Sequence, residues 1–254
     1  MLRKFSPPAL HHLVSCIHDT PVEVSKALVQ RYLSKPPFSY RLLDTLVQLA
    51  MKADISQSQF DDAVRKHQPP KFQKIFLELT PLIHEHFSAI RPTFVLPVEP
   101  RKYLVNTLEI PFKPAFAFGL NNELIIPWFI FWKKNPLKDK QVSLLVTLID
   151  DLLQQDPDYR EAKIQIYDFS APNGESRELK ITDASTIPRL SSEEVSKALE
   201  IFVDGYKLAQ IELEGIFKAR VNAVWKQGNS QQQGLFLDSD SNNPPASSKP
   251  EPRE

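Results

Sequence analysis

Glycine is scarce in this 254-residue sequence, which contains six glycines against 22 prolines. Phosphate-binding loops of nucleotide-dependent proteins need closely spaced glycines, and neither GxxxxGK[ST] nor GxGxxG occurs in the chain. The sequence therefore excludes nucleotide chemistry that depends on those two loops, and we expect no cofactor.

Cysteine is rarer still, because Cys16 is the only one in the chain. A single cysteine excludes an intramolecular disulfide and a zinc site built from cysteines, and it is typical of a reducing compartment. His84 and His86 lie two residues apart, so on a helix they would point in different directions. His12 and Cys16 could share a helix face, but two ligands do not make a zinc site. The sequence therefore predicts no metal site, and it identifies no catalytic residue.

The sequence also lacks an excess of charge, since 31 Lys and Arg balance 31 Asp and Glu. No overall field draws the protein toward nucleic acid or an anionic membrane, so any such binding has to be local. The longest apolar run is about half of the ~20 residues that span a bilayer. The N-terminal segment lacks the uninterrupted apolar stretch of a secretion signal. We expect a cytoplasmic protein that does not contact membranes.

Residues 1–90 have the pattern of a helical region. Apolar residues recur at helical spacing, and capping boxes that begin at Thr20 and Ser56 mark helix starts. Pro81 lies inside a later helical segment and is expected to kink or split it. The sequence therefore predicts several short helices before the first strand.

Residues 91–226 combine strand and helix patterns. The predicted strands are 102–110, 113–119 and 123–134, the last of which reads ELIIPWFIFWKK after a turn at residues 119–122. Pro127 is expected to place this strand at an edge or a bulge. An amphipathic helix is predicted over 137–155, a second hairpin from the alternating segments 163–169 and 177–182, and a last helix from the capping box at Ser191.

These patterns predict an α+β fold with three regions. A helical N-terminal region, 1–90, is followed by an α+β core domain, 91–226, with a mixed or antiparallel sheet and a long C-terminal helix. The sheet is expected to contain a meander, a crossover helix and a second hairpin. The polar, proline-rich residues 227–254 are predicted to be a disordered tail.

The element order over residues 75–170 resembles the common core of the PD-(D/E)XK nuclease-like superfamily, an antiparallel meander followed by a crossover helix and another strand. In that family, an acidic residue on the second strand, and another two positions before a lysine on the third, hold a divalent metal. Lys133 stands where the resemblance places the lysine, but Phe131 replaces the second acid. The nearest candidates for the first acid are Asn122, which is neutral, and Glu123, which sits at the turn. The resemblance therefore implies the fold without its metal-binding motif; were the protein an enzyme, it would be a metal-dependent nuclease.

A basic and aromatic cluster is the first candidate binding surface, because Lys133, Lys134 and Lys138 lie beside Trp128 and Trp132. Lysines neutralise phosphates and exposed aromatic rings stack on bases, so this combination is typical of a surface for single-stranded nucleic acid. The alternative is a buried strand followed by a solvated helix start, which the apolar side chains on both strand faces favour. Burial of the two tryptophans distinguishes these interpretations.

The last helix is the second candidate surface, with the apolar residues Ile211, Leu213, Phe217 and Trp225. An apolar helix face that its own domain leaves uncovered is a site for another chain, whereas a covered one packs along its own core. We therefore expect a protein that is not an enzyme and acts through protein–protein or self-association. Nucleic-acid binding by a degenerate nuclease-like fold is the alternative function.

Overall fold

The structure is a computed structural model that describes residues 5–34, 39–171 and 175–237, with side chains described as far as residue 219. The helices of this part of the chain are α1 (Leu10–Ser15), α2 (Pro21–Leu33), α3 (Arg41–Lys52), α4 (Gln57–His67), α5 (Pro70–Leu77), α6 (Thr80–Phe87), α7 (Asp139–Gln154) and α8 (Ser192–Leu237). Its strands are β1 (Phe94–Leu96), β2 (Arg101–Val105), β3 (Leu108–Phe112), β4 (Ala117–Leu120), β5 (Glu123–Ile130), β6 (Lys163–Asp168) and β7 (Lys180–Asp183). The predicted α+β class is confirmed.

The predicted helix starts are confirmed by their capping hydrogen bonds. The Thr20 hydroxyl accepts from the Glu23 backbone N–H at the start of α2, and Ser56 forms a complete capping box at the start of α4. The Ser191 hydroxyl accepts from the Glu194 backbone N–H at the start of α8. Pro81 lies in the first turn of α6, so the segment around it is split into two helices, as predicted.

Five strands form one mixed sheet in the order β1-β4-β5-β6-β7. The pairs β1–β4, β4–β5 and β6–β7 are antiparallel, and β5–β6 is parallel across the crossover helix α7. Asn121 and Asn122 both have positive φ angles, 51° and 67°, which gives the tight turn between β4 and β5 a twist that suits a two-residue hairpin. The turn of the predicted second hairpin, β6–β7, includes residues 172–174, which lie outside the described residues.

The predicted strand over 102–110 is wrong, because the chain turns back within it. Asn106 has a φ of 52° and starts a turn that pairs β2 with β3 as a separate antiparallel hairpin. This hairpin lies against the end of α7, where Arg101 is ion-paired with Asp156 and the Tyr103 hydroxyl donates to Asp151 at 3.3 Å. The two-stranded hairpin is therefore an insertion between β1 and β4 of the main sheet.

The expectation that Pro127 places β5 at a sheet edge or a bulge is wrong for the strand as a whole, because β5 is the middle strand and pairs regularly with β6. It holds locally, because β5 beyond Ile125 has no partner on the β4 side among the described strands. The carbonyl of Ile130 accepts from Phe169 on the β6 side. Backbone groups alternate in direction along a strand, so the ring nitrogen of Pro127 faces β4 instead. There it costs no ladder hydrogen bond, since β4 begins at Ala117 and pairs with β5 only at residues 118–120.

Both faces of the sheet are buried. Phe129 and Phe131 face a core that includes Phe87, Tyr167 and Phe169 and is covered by α3 to α6. The opposite face is covered by α1, α7 and the β2–β3 hairpin, whose Phe112 packs on Trp128. Apolar residues of the predicted regions 1–90 and 91–226 thus share one hydrophobic core.

The chain divides into one compact unit, Phe5–Ala209, and a second unit to which residues 210–237 belong. The helix α8 continues to Leu237, past residue 227, where the sequence predicts the start of a tail. Residues 238–254 of that predicted tail lie outside the described residues. No helix within the described ranges has the length and hydropathy that crossing a membrane requires.

Candidate functional site

A notch in the sheet forms the candidate site. β4 starts at Ala117 and pairs only with residues 123–125 of β5. β5 itself continues to Ile130. The second half of β5 therefore has a paired strand, β6, on one side, and among the described strands none on the other. The segment Lys113–Ala115, which precedes β4, borders the resulting gap.

The notch opens into a cleft of about 790 Å³ within the unit Phe5–Ala209. Its walls come from α1, the end of α2, the start of α3, the segment before β4, and β5 with the residues that follow it. The polar and aromatic side chains of these walls are His11, His12, Ser15, Cys16, Gln30, Arg31, Ser34, Ser39, Tyr40, Arg41, Asp44, Lys113, Trp128, Phe129, Phe131 and Trp132. The volume lies in the range of ligand pockets.

The two tryptophans of the predicted nucleic-acid surface both line this cleft, but they differ in exposure. Trp128 is 8% exposed and stacks on Phe112, with ring centroids 5.8 Å apart and an interplanar angle of 8°. Trp132 is half-buried, and its ring lies 5.8 Å from that of His11 and 5.7 Å from that of His12. Trp128 is therefore a structural wall, whereas Trp132 offers part of its ring to a ligand.

A pair of neutral histidines on α1 lines the cleft beside Trp128 and Trp132. The rings of His11 and His12 are 3.7 Å apart. Burial, reinforced by the nearby Arg31 guanidinium, lowers the pKa of His11 to about 4. Burial, with His11 and Arg31 as further causes, lowers the pKa of His12 to about 2. Both rings are therefore uncharged at neutral pH and act as hydrogen-bonding groups rather than as cations.

A carboxyl group with a raised pKa lies on the α3 side of the cleft. Burial raises the pKa of Asp44 to about 7, although the neighbouring Arg41 opposes the shift. Burial also raises the pKa of Tyr40, whose ring lies 5.6 Å from that of Phe131. Near neutral pH, Asp44 is thus partly protonated, and the permanent charges of the cleft are the cations Arg31, Arg41 and Lys113.

The predicted lysines Lys133, Lys134 and Lys138 are exposed and do not line the cleft. They follow Trp132 on the segment that borders it, and this segment is held in place by hydrogen bonds. The Lys133 carbonyl accepts from the Ala171 N–H at 2.8 Å, and the Asn135 amide donates to Asp168 at 2.7 Å. The structure therefore places these lysines on the rim. The cations inside the cleft come from sequence positions that no motif marks.

The four residues predicted as a partner surface on α8 do not lie on one face. Ile211 is 71% exposed, Leu213 is 1% exposed and Phe217 is partly exposed. Positions two apart on a helix point in nearly opposite directions, which separates the first two of these residues. Trp225 belongs to the stretch of α8 whose side chains are not described.

The residues do not fit the divalent metal site that the nuclease-like resemblance implies. Phe131 is a buried apolar side chain without an oxygen ligand, and Glu123 lies at the other end of β5, in an ion pair of 2.5 Å with Lys163. Asp150 is ion-paired with Arg189. Across the described ranges, no group of three or more His, Cys, Asp or Glu residues is arranged to hold a metal ion. We therefore derive no chemistry through a metal.

Comparison of the chain with protein-family models, with curated proteins and with solved structures gave no match. The cleft and α8 are therefore the features of the molecule that bear on its function.

Proposed function

We propose that the protein binds single-stranded nucleic acid in the cleft at the notch of its sheet, without cleaving it. The observation that carries this proposal is the convergence of a partly exposed tryptophan, Trp132, with the three cations Arg31, Arg41 and Lys113 around one cleft. Aromatic rings stack on bases irrespective of sequence, and cations neutralise the phosphates that link them.

The rim of the cleft supports the same proposal. Lys133 and Lys134 are exposed directly after Trp132, so a strand leaving the cleft on this side meets further positive charge. The zero net charge of the chain does not oppose this binding, because the attraction arises from a local cluster. Among the described residues that line the cleft, Asp44 is the one acidic side chain, and its raised pKa limits its repulsion of phosphates near neutral pH.

The order of elements is a weaker argument for the proposal. The meander β1, β4 and β5, the crossover helix α7 and the strand β6 have an order that resembles the PD-(D/E)XK nuclease-like core. A fold does not bring its activity with it, however, and the position of a carboxylate ligand is occupied by Phe131. Binding without metal-dependent cleavage is therefore the activity that we propose for this fold.

Fluorescence anisotropy of a labelled single-stranded oligonucleotide tests the proposal over a range of salt concentrations. We expect binding that weakens with salt, since phosphate contacts release counterions. Trp132→Ala and Lys113→Ala should each weaken binding several-fold, and the second should also lower the salt slope by about one. Lys52→Ala is the matched control, because Lys52 is exposed and does not line the cleft. Absence of binding at low salt, or affinity that does not depend on salt, contradicts the proposal.

Association with another protein chain through α8 is a second candidate function, favoured by the exposure of Ile211. This side chain is 71% exposed, the largest exposed fraction among the exposed large apolar residues of the described chain. Apolar side chains of a helix that remain accessible favour contact with a second chain, and we propose a second copy of this protein as the partner.

Light scattering on the full chain tests this second candidate. An oligomer is expected that Ile211→Glu converts toward the monomer, whereas Lys218→Gln, an exposed change on the same helix, leaves it intact. A monomer at all concentrations, or an oligomer that Ile211→Glu does not alter, contradicts self-association. Neither result affects the nucleic-acid proposal.

A further inference from the structure

Arg31 differs from the other arginines of comparable burial. The described side chains include three partly buried arginines, Arg31, Arg101 and Arg177. Arg101 is ion-paired with Asp156, and Arg177 lies 3.3 Å from a Glu78 oxygen and donates to two carbonyls. Across the described residues, Arg31 has neither an ion pair nor a side-chain hydrogen bond, although it lines the cleft.

A partly desolvated guanidinium without an anion is costly, and the cost is relieved when an anion binds. Burial lowers the pKa of Arg31, which reports this desolvation. Guanidinium groups bind phosphate or carboxylate through two parallel hydrogen bonds, so an anion of that shape suits the position. Residues 35–38, which lie outside the described residues, read KPPF and carry no carboxylate.

A second unsatisfied group lies in the same wall. The Nδ1 atom of His12 is buried and has no hydrogen-bond partner within the described part of the chain. Arg31, His11 and His12 all line the same cleft. A neutral imidazole can donate one hydrogen bond, so an anion that Arg31 holds satisfies both groups once the His12 ring turns its Nδ1–H toward the cleft.

We propose that Arg31 and His12 form a site for a terminal phosphate, so that the cleft takes the phosphorylated end of a single strand. This inference rests on the proposed nucleic-acid function and specifies its ligand. A terminal phosphate carries nearly two negative charges at neutral pH, whereas a phosphate within the strand carries one. The half-buried position of Arg31 favours the more highly charged group, and Trp132 lies close enough to His12 to stack the first base.

Binding of matched short oligonucleotides tests the terminal-phosphate site. The same sequence is compared with a 5′-phosphate, with a 3′-phosphate and with hydroxyl groups at both ends, by anisotropy of an internal label. We expect one phosphorylated end to bind about tenfold more tightly than the unphosphorylated strand. Which end is preferred identifies the direction in which the strand enters.

Arg31→Gln should abolish the preference for the phosphorylated end. The phosphorylated strand should lose more affinity than the unphosphorylated strand, which loses only the several-fold expected for one cation of the cleft. Arg31→Lys keeps the charge but loses the paired hydrogen bonds, so part of the preference should remain. Arg41→Gln is the matched control, since Arg41 is an exposed arginine of the same cleft and should keep the preference. Thermal unfolding of each variant shows whether the fold is retained.

The possible results separate this inference from the proposed function. Equal affinity for phosphorylated and unphosphorylated strands, or a preference that persists in Arg31→Gln, overturns the terminal-phosphate site and leaves nucleic-acid binding intact. Direct binding of inorganic phosphate that Arg31→Gln abolishes, without binding of any oligonucleotide, supports the phosphate site and overturns the nucleic-acid function. Absence of binding by every probe overturns both.

Discussion

Gly205 of α8 and Val24 of α2 lie so close that a Cβ atom on Gly205 would be 2.5 Å from the Cβ atom of Val24. The same added atom would lie 2.8 Å from the backbone carbonyl oxygen of Pro21. Glycine normally weakens a helix interior, but here it allows two helices to cross at close range. Gly205 therefore serves the packing of α8 on α2. The lower helix propensity of glycine in the middle of α8 is the cost of this close contact.

Gly205→Ala should lower the free energy of unfolding by about 1–3 kcal/mol, because the added methyl group meets a β-branched side chain and backbone that cannot move aside. Gly215→Ala on the same helix is the control, since no atom lies within 4 Å of the added Cβ. There the ordinary helix propensity applies, so the change should be neutral or stabilising by up to about 1 kcal/mol. Urea unfolding measures both, and a stabilising Gly205→Ala would contradict the close crossing.

Arg177 ties the end of β5 to the segment after β6. Its side chain is 4% exposed and donates at 3.0 Å to the carbonyls of both Phe131 and Phe169, beside Glu78. Arg177→Ala leaves these acceptors and the carboxylate without a partner, so unfolding should become easier by about 3–5 kcal/mol. Lys207→Ala removes an ion pair that is 65% exposed and should change stability by less than about 0.5 kcal/mol. Similar effects of the two changes in urea unfolding would argue against this role.

Asp44 should make the protein less stable as the pH rises from about 4 to about 7. Its pKa is raised to about 7 by burial, so in this range the folded state holds a proton that the unfolded state has released. The free energy of unfolding then falls with increasing pH by at most about 1.4 kcal/mol per pH unit, and it levels off above pH 7. Asp44→Asn removes this dependence, so its stability advantage over the wild type should be near zero at pH 4 and largest at pH 7 and above.

Urea unfolding of the wild type and Asp44→Asn at several pH values measures this difference directly. Other groups that titrate, including His11 and His12, are present in both proteins and cancel in the comparison. An advantage of Asp44→Asn that is the same at pH 5 and pH 8 would mean that the carboxyl group titrates normally.

Trp128 and Trp132 should separate stability from binding. Trp128→Ala removes a ring that is 8% exposed and stacked on Phe112, so we expect a loss of about 3–5 kcal/mol in the free energy of unfolding. Trp132→Ala removes a partly exposed ring and should lower the free energy of unfolding less than Trp128→Ala does. Relative to its loss of stability, it should weaken oligonucleotide binding more than Trp128→Ala does. Thermal unfolding and anisotropy on the same samples compare the two, and the reverse order would place the binding surface elsewhere.

Local signals made much of the fold predictable. The capping residues Thr20, Ser56 and Ser191 act on backbone N–H groups three positions away, so the sequence carries both partners of each interaction. The alternation of polar and apolar side chains in residues 163–169 likewise predicts a strand without reference to any other segment. The turn at Asn106 was missed because it lacks the glycine that usually marks a tight hairpin, and its flanking residues continue the strand pattern.

The cleft was less predictable, because its walls meet only in the folded chain. His12, Arg31, Asp44 and Lys113 belong to four different segments, and none of them forms a motif with its sequence neighbours. Trp132 was identified because an aromatic residue beside lysines is a local pattern. A partly buried arginine without a partner has no sequence signature at all, since its burial depends on chain segments far away in the sequence.

The backbone of β5 itself limits how far β4 can pair along it. Two pairs beyond the last one, Phe118 with Ile125, the same register would bring Phe116 opposite Pro127, where continued pairing needs an N–H that proline does not have. A single residue in the middle strand therefore keeps β4 and β5 from closing up along their full length. The opening is thus determined by the backbone, so the side chains that line it can change without the cleft being lost.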